Sequence, residues 1–225
     1  MNNENLSKQY NKLRDTFIKG SIDYNYISRS TYYNLLNFDF KGKKILDLAC
    51  GDGYDLALFS DKGADIYGLD ASEELIKIAK QKVKNCDFVV GYMENIPYPD
   101  NYFDVVLSKY ALQTSDNVPR ILEEITRVLK SGGIFCYLSV HPFRQFMEKK
   151  KFGKDYFKQE VVDSKFFEGK ITIKEPSHTF NEYFSPYFFK NYRLIHFEEK
   201  ADFPSSEKIN GDTYPCFFVI KAEKY

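Results

Sequence analysis

The sequence predicts an α/β fold with an open, mostly parallel sheet and helices on both faces, and three observations carry that prediction. Short apolar runs alternate with amphipathic stretches from residue 44 to residue 140, the order of consecutive β–α–β units. The first run, Lys44–Ala49, has the near-continuous apolar character of a strand covered on both faces. Gly51-Asp52-Gly53 then separates it from the next amphipathic segment, as a tight strand-to-helix turn requires.

Each element follows from local chemistry. Tyr54–Lys62 reads as a helix closed by Gly63, because glycine readily adopts the left-handed conformation that ends helices. Ile66–Leu69 is the second strand, and Asp70 ends it. Ser72 is placed to cap a helix over Glu73–Lys84, with acids in its first turn and lysines later, in line with the helix dipole. Cys86–Val90 is the third strand and Asp104–Ser108 the fourth, preceded by the turn segment Pro97–Asn101. Val118–Lys130 carries Ile121, Leu122, Ile125, Val128 and Leu129 on one helical face. Gly132-Gly133 stops that helix before a fifth strand at Ile134–Val140.

After His141 the regular alternation ends. Lys170–Lys174 reads as a short strand, Phe180–Lys190 as a helix, and Arg193–Glu199 with Cys216–Glu223 as an antiparallel addition to the sheet edge. The segment before residue 40 reads as helices over one end of the sheet. With no internal repeat or linker, a single domain is expected over 1–225: N-terminal cap helices over 1–40, a core over 41–141, an inserted lid over 142–190 and C-terminal strands over 191–225.

Composition narrows the function classes. Thirty-two basic residues balance 32 acidic ones, which argues against a nucleic-acid binder working through phosphate contacts. The run Lys149-Lys150-Lys151 is read as a solvated face. Cys50, Cys86, Cys136 and Cys216 form no C-x-x-C pair, so neither a metal site nor a disulfide framework is expected. No apolar stretch approaches a membrane span, and the polar N-terminus lacks a signal-peptide core. A cytoplasmic protein with no membrane partner is the expectation.

The chemistry concentrates in Asp47-Leu48-Ala49-Cys50-Gly51-Asp52-Gly53. In open parallel sheets ligands bind outside the carboxyl ends of the strands, where this loop lies. Asp70 ends the second strand, where a carboxylate accepts hydrogen bonds from a ribose diol. A dinucleotide fingerprint needs a third glycine where this chain has Leu56, and Asp47 would repel a pyrophosphate. A cationic, phosphate-free ligand answers both observations, and S-adenosylmethionine is one.

These residues resemble motif I of the class I S-adenosylmethionine-dependent methyltransferases. The similarity continues through Gly91-Tyr92-Met93-Glu94-Asn95-Ile96-Pro97, Tyr102–Val106, Ala111-Leu112 and Val128–Gly133, an ordered set similar to the methyltransferase type 11 group, which includes ubiquinone and menaquinone biosynthesis enzymes. It spans roughly residues 42 to 140. The resemblance implies a Rossmann-like, seven-stranded, mostly parallel sheet with an antiparallel edge strand, and S-adenosylhomocysteine as product. It places Asp47, Ala49, Gly51, Asp52 and Gly53 around the cofactor, with Asp70 and Ala71 at the ribose. It sets Met93 and Glu94 beside the adenine, and Ser108, Lys109 and Tyr110 toward the methionine part and the methyl group. Tyr10 closes over the cofactor or simply packs; Met93 serves the adenine or fills the core.

Methyl displacement from a sulfonium needs mostly proximity and orientation. Ser108-Lys109-Tyr110-Ala111 stands where amide- and ring-amino methyltransferases carry N-P-P-Y or D-P-P-Y, so those acceptors are not expected. The aromatic-rich lid, with Phe143, Phe146, Phe152, Tyr156, Phe157, Phe166, Phe167, Phe180 and five more aromatics from Tyr183 to Phe189, suits a planar or apolar small molecule, a lid core or a dimer contact. His178 and His141 are the candidate bases, while His196 reads as structural. Other readings are a protein or tRNA methyltransferase, an inactive cofactor-binding regulator and a nicotinamide-dependent oxidoreductase.

Overall fold

The computed structural model describes residues 3–23, 27–150, 152–166, 171–201 and 213–225. Two helices, α1 (Asn3–Asp23) and α2 (Ile27–Leu35), precede β1 (Lys44–Leu48), α3 (Tyr54–Ser60), β2 (Asp65–Asp70), α4 (Glu73–Lys82), β3 (Cys86–Val90) and β4 (Phe103–Lys109). A 3-10 turn at Leu112–Thr114 leads to α5 (Val118–Val128) and β5 (Leu129–Val140). There follow α6 (Pro142–Glu148), β6 (Val161–Phe166), β7 (Ile171–Pro176), α7 (Phe180–Tyr183), α8 (Pro186–Asn191), β8 (Tyr192–Lys200) and β9 (Phe217–Lys224).

Seven strands form one sheet in the order β3-β2-β1-β4-β5-β9-β8. The first five are parallel, and β9 runs antiparallel to both β5 and β8. The pleat divides the core between the two faces. Leu46, Leu48 and Val106 pack with Ile121, Leu122 and Ile125 of α5 on one side. Ile45, Val105 and Leu107 pack with Tyr32 and Leu35 of α2 and Leu56 and Phe59 of α3 on the other. This burial on both faces is the physical reason the central strands read as apolar runs.

Ser72 caps α4, accepting from the Leu75 amide at 3.1 Å. That helix ends at Lys82, earlier than expected, because Val83 turns extended (φ −113, ψ 116) and buries its side chain. α5 likewise stops at Val128: Leu129 is extended and pairs with Phe103, so β5 begins five residues before the expected strand. The expected helix over Phe180–Lys190 is two short ones. Ser185 caps the second, accepting from the Phe188 amide at 3.3 Å, and Pro186 opens it; the residue before a proline is pushed extended, which breaks the first helix there. The lid also holds α6 and the β6–β7 hairpin, a separate two-stranded sheet where one strand was expected. Lys151, Phe167, Lys170 and the side chain of Phe166 lie outside what is described.

Candidate active site

The strand order reverses between β1 and β4, and a crevice opens at the carboxyl ends of such a pair. The loop after β1 crosses it in a left-handed path: Ala49, Gly51 and Gly53 have φ of 58, 56 and 77°. For an alanine that conformation costs about 1–2 kcal/mol. Backbone bonds hold it there, from Cys50 N to Leu69 O (3.1 Å) and from Gly53 N to Cys50 O (3.0 Å). A Cβ on Gly51 would meet nothing within 4 Å, whereas one on Gly53 would press on Val83 and Ala79 at 3.1 and 3.2 Å. Gly51 therefore presents bare backbone to open space, and Gly53 is required by helix packing.

Asp70 lies beside this loop. Its Oδ2 accepts from Gly51 N at 2.9 Å and its Oδ1 from Ser72 N at 2.8 Å, which leaves a lone pair on each oxygen. Burial pushes its carboxyl up to about 6, against the pull of those two amides. Helix α1 lies across this strand end. The Ser7 hydroxyl donates to Ala71 O (2.8 Å), the Ser72 hydroxyl donates to Asn11 Oδ1 (2.5 Å), and Arg14 pairs with Glu74 (2.5 Å). Positions 7, 11 and 14 form one stripe of a helix. Tyr10, next to that stripe, has its hydroxyl pKa raised by burial and then by the charges of Glu175 and Asp70, so it stands within electrostatic range of both.

Four aspartates are buried around the loop: Asp47, Asp52, Asp55 and Asp70. Asp52 pairs with Lys82. Asp55 accepts from Lys109 and from the Tyr33 hydroxyl, each at 2.6 Å. Asp47, 3% exposed, receives no hydrogen bond among the described residues. Its carboxyl is pushed well above the usual range by burial and then by Asp55, with Lys109 opposing. Lys109 is thus directed at α3.

The remaining expected site residues fall in several settings. Met93 is buried in the core beside Leu48 and Leu69, and the Glu94 carboxylate accepts from the Ser115 hydroxyl at 2.5 Å. Glu124 fixes that loop, accepting from Ile96 N at 2.9 Å and from Arg127 at 2.7 Å. The Ser108 hydroxyl is fully buried and donates to Leu48 O at 3.3 Å, tying β4 to β1. Tyr110 is left-handed (φ 53°), with its amide on Leu138 O at 2.7 Å.

His141 is the N-cap of α6. Its Nδ1 accepts from Phe143 N (3.0 Å) and its Nε2 donates to Glu199 (2.9 Å). Burial lowers its pKa, with Glu199 opposing. The His178 ring is fully buried, with Nε2 donating to Gln113 O (3.0 Å) and Nδ1 3.3 Å from Glu182. Both rings therefore have both nitrogens engaged.

Around His178 lies a buried polar cluster that sequence reading missed. Gln145 accepts from His178 N (3.0 Å) and donates to Glu175 Oε1 (3.1 Å), which also accepts from the Ser164 hydroxyl (2.6 Å). Glu175 Oε2 has no partner among the described residues, and burial pushes this carboxyl up to about 7. Its only sequence signal was an acid at an inward position of an alternating strand. The Asp55–Lys109–Tyr33 group and the α1 stripe were missed for the same reason: each joins residues far apart in the chain.

The lid aromatics divide. Tyr183 and Phe188 are buried in the main core, with Phe180 and Phe184 packed against it. Phe143, Phe152 and Phe157 are exposed. Among the described residues, no group of His, Cys, Asp and Glu could hold a metal ion, and no helix is long and apolar enough to cross a membrane.

Comparison with known proteins agrees with this geometry. Residues 46–137 match a family described as a methyltransferase domain. A demethylmenaquinone methyltransferase of Lactococcus lactis is 38% identical over 113 residues, 46% of this chain and 45% of that protein. An uncharacterized protein of Haemophilus influenzae is 31% identical over 169 residues, 71% of this chain and 65% of that one. The chain spans about half the length of several curated relatives it matches. In fold it is similar to a crystal structure described as a putative S-adenosylmethionine-dependent methyltransferase from Listeria monocytogenes, with a TM-score of 0.73, 22% identity, and coverage of 88% of this chain and 98% of that one. Motif order, strand order and loop geometry over residues 46–137 are thus similar to those of that methyltransferase domain and of that solved fold.

Proposed function

We propose that this chain transfers a methyl group from S-adenosylmethionine to a small, planar or apolar acceptor. Asp47 carries the reading: a buried carboxylate that receives no hydrogen bond among the described residues, beside bare backbone at Gly51, calls for a cation. The ammonium group of the cofactor supplies one. The lone pairs left on Asp70 suit a ribose diol, Met93 and Glu94 lie on the adenine side, and Tyr10 covers the site from α1. A pyrophosphate would face two carboxylates, and the third glycine position is the buried Leu56.

When bound, the cofactor supplies a methyl carbon already activated by its sulfonium. The chain's own residues then bind, orient and exclude water. Ala49, Asp52 and Gly53 shape the loop, and Ala71 extends the Asp70 turn. Ser108 ties β4 to β1, Lys109 holds α3 through Asp55, and Tyr110 stands at the end of β4. The hydrogen bonds at His141 and His178 support positioning roles: His141 starts α6, and His178 fixes the 3-10 turn against the lid. The half-buried lid aromatics, and relatives named demethylmenaquinone methyltransferases, support an aromatic, apolar acceptor.

Calorimetric titration with S-adenosylmethionine, S-adenosylhomocysteine and NAD tests this reading. Micromolar binding of the first two alone is expected; preference for NAD, or binding of none, overturns it. Binding without methyl transfer to phenol, amine or quinol acceptors would instead fit a regulatory protein.

A further inference from the structure

The segment between α6 and β6 is held by internal bonds, yet it turns its largest apolar side chains outward. Lys149 is buried, and its ammonium donates to the carbonyls of Asp155 and Lys158 at 2.7 and 2.6 Å, drawing the ends of the loop together. Lys154 donates to Met147 O at 2.7 Å, and Phe157 N donates to Asp155 Oδ1 at 2.9 Å. The Tyr156 hydroxyl accepts from Phe180 N at 3.0 Å, and Glu160 exchanges bonds with Ser177 at 3.0 and 2.7 Å. On this fixed frame Phe152 is 107% exposed and Phe157 77%, the two largest exposures among the chain's described large hydrophobics. Gly153, left-handed at φ 68°, makes the turn that lifts Phe152 away from the body.

Two exposed phenylalanines on a fixed loop signal an interaction surface, and the surrounding charge selects its partner. Residues 149–158 carry five lysines against one aspartate, in a chain whose acidic and basic residues balance. Lys150 and Lys158 are well exposed, each beside a single carboxylate. Aromatic side chains rimmed by lysine suit the interface of an anionic bilayer, where rings enter the headgroup boundary and ammonium groups meet lipid phosphates. A second copy of this chain would bring like charge against like charge at this loop. The loop also adjoins the lid, whose β7 packs on the 3-10 turn after β4.

We propose that the loop 149–158 docks this protein peripherally on an anionic lipid surface, with Phe152 and Phe157 inserted and the exposed Lys150 and Lys158 on the headgroups. This sits beside the sequence expectation of no membrane partner: the chain offers no spanning helix, but it offers an interfacial contact.

Sedimentation of the full chain with vesicles tests the proposal without any need for methyl transfer. Binding is expected to phosphatidylglycerol-containing vesicles, about tenfold weaker to pure phosphatidylcholine, and to fall steeply from about 0.05 to about 0.5 M salt. The double variant Phe152→Ser, Phe157→Ser should lose about tenfold in vesicle affinity with an unchanged melting temperature. Ile195→Ser, an equally simple change on exposed edge strand β8, should bind as the parent does. The proposal fails if the parent does not bind at low salt, if the double variant binds equally well, or if the loop instead mediates a concentration-dependent dimer.

Discussion

Asp47 shows how burial poises a carboxylate for a cation. A carboxylate removed from water and beside Asp55 holds its proton above the usual range. A cation placed against it reverses that preference, so cofactor binding should be accompanied by proton release wherever this carboxyl still holds its proton. Titration in buffers of different ionisation enthalpy reads this directly, and Asp47→Asn should abolish the release and weaken binding by about tenfold or more. Gly51→Ala separates backbone strain from ligand access. Its Cβ meets nothing, so stability should fall only by the left-handed cost of about 1–2 kcal/mol, while cofactor affinity falls much further. An unchanged affinity would place the ligand elsewhere. Glu175 gives a pH signature. Folding holds this carboxyl at about 7, above its ordinary 4.5, so its contribution is complete below the unfolded value and is lost as pH rises through the folded one. From about pH 6 to about pH 8 the protein should lose about 1.3 kcal/mol, roughly 3–5 °C in melting temperature. Asp70, pushed up to about 6, adds a smaller loss of the same sign. Glu175→Gln should remove most of the slope; an equal slope in that variant would mean the carboxyl is not held neutral.

Among the elements, the described side chains of α1 join the site through hydrogen bonds and an ion pair. Ser72 connects it: its hydroxyl donates to Asn11 and caps α4, while its amide holds Asp70. Asn11→Ala should weaken S-adenosylmethionine binding about fivefold, the worth of one hydrogen bond, with little change in melting temperature. An unchanged affinity would make α1 a bystander. The sequence showed helices before residue 40 but not which face of α1 meets Asp70, because a polar stripe at 7, 11 and 14 looks like any solvated one. Local signals fared well where they acted alone, as with the Ser72 cap and the strand Cys86–Val90. They misjudged ends where a distant partner competed. Leu129 and Val83 leave their helices to pair or bury, and Pro186 divides a segment whose apolar spacing alone suggested one helix.

Across the whole molecule, the central strands β1, β4 and β5 are buried on both faces, whereas α1 and the β6–β7 hairpin pack on the periphery. Hydrogen exchange should therefore be slowest in the central strands and faster in α1, with cofactor slowing α1 selectively. At a cofactor concentration about a hundredfold above Kd the fold should gain about 2.7 kcal/mol, read as a rise of several degrees in melting temperature. Equal protection of α1 with and without ligand would count against its closing over the site. The sequence alone determined the order of strands and helices over residues 44–140, the glycine loop and the carboxylates Asp47 and Asp70. Those follow from periodicity, turn chemistry and position relative to a strand end, all local properties. Only the tertiary structure decided that Tyr183 and Phe188 fill the core while Phe152 and Phe157 face out. It also decided that His141 and His178 have their ring nitrogens engaged, that Lys109 serves Asp55, and that Glu175 is buried with one oxygen unpartnered among the described residues. In each case the outcome depends on neighbours brought from elsewhere in the chain, and a side chain's burial and charge are set by those neighbours.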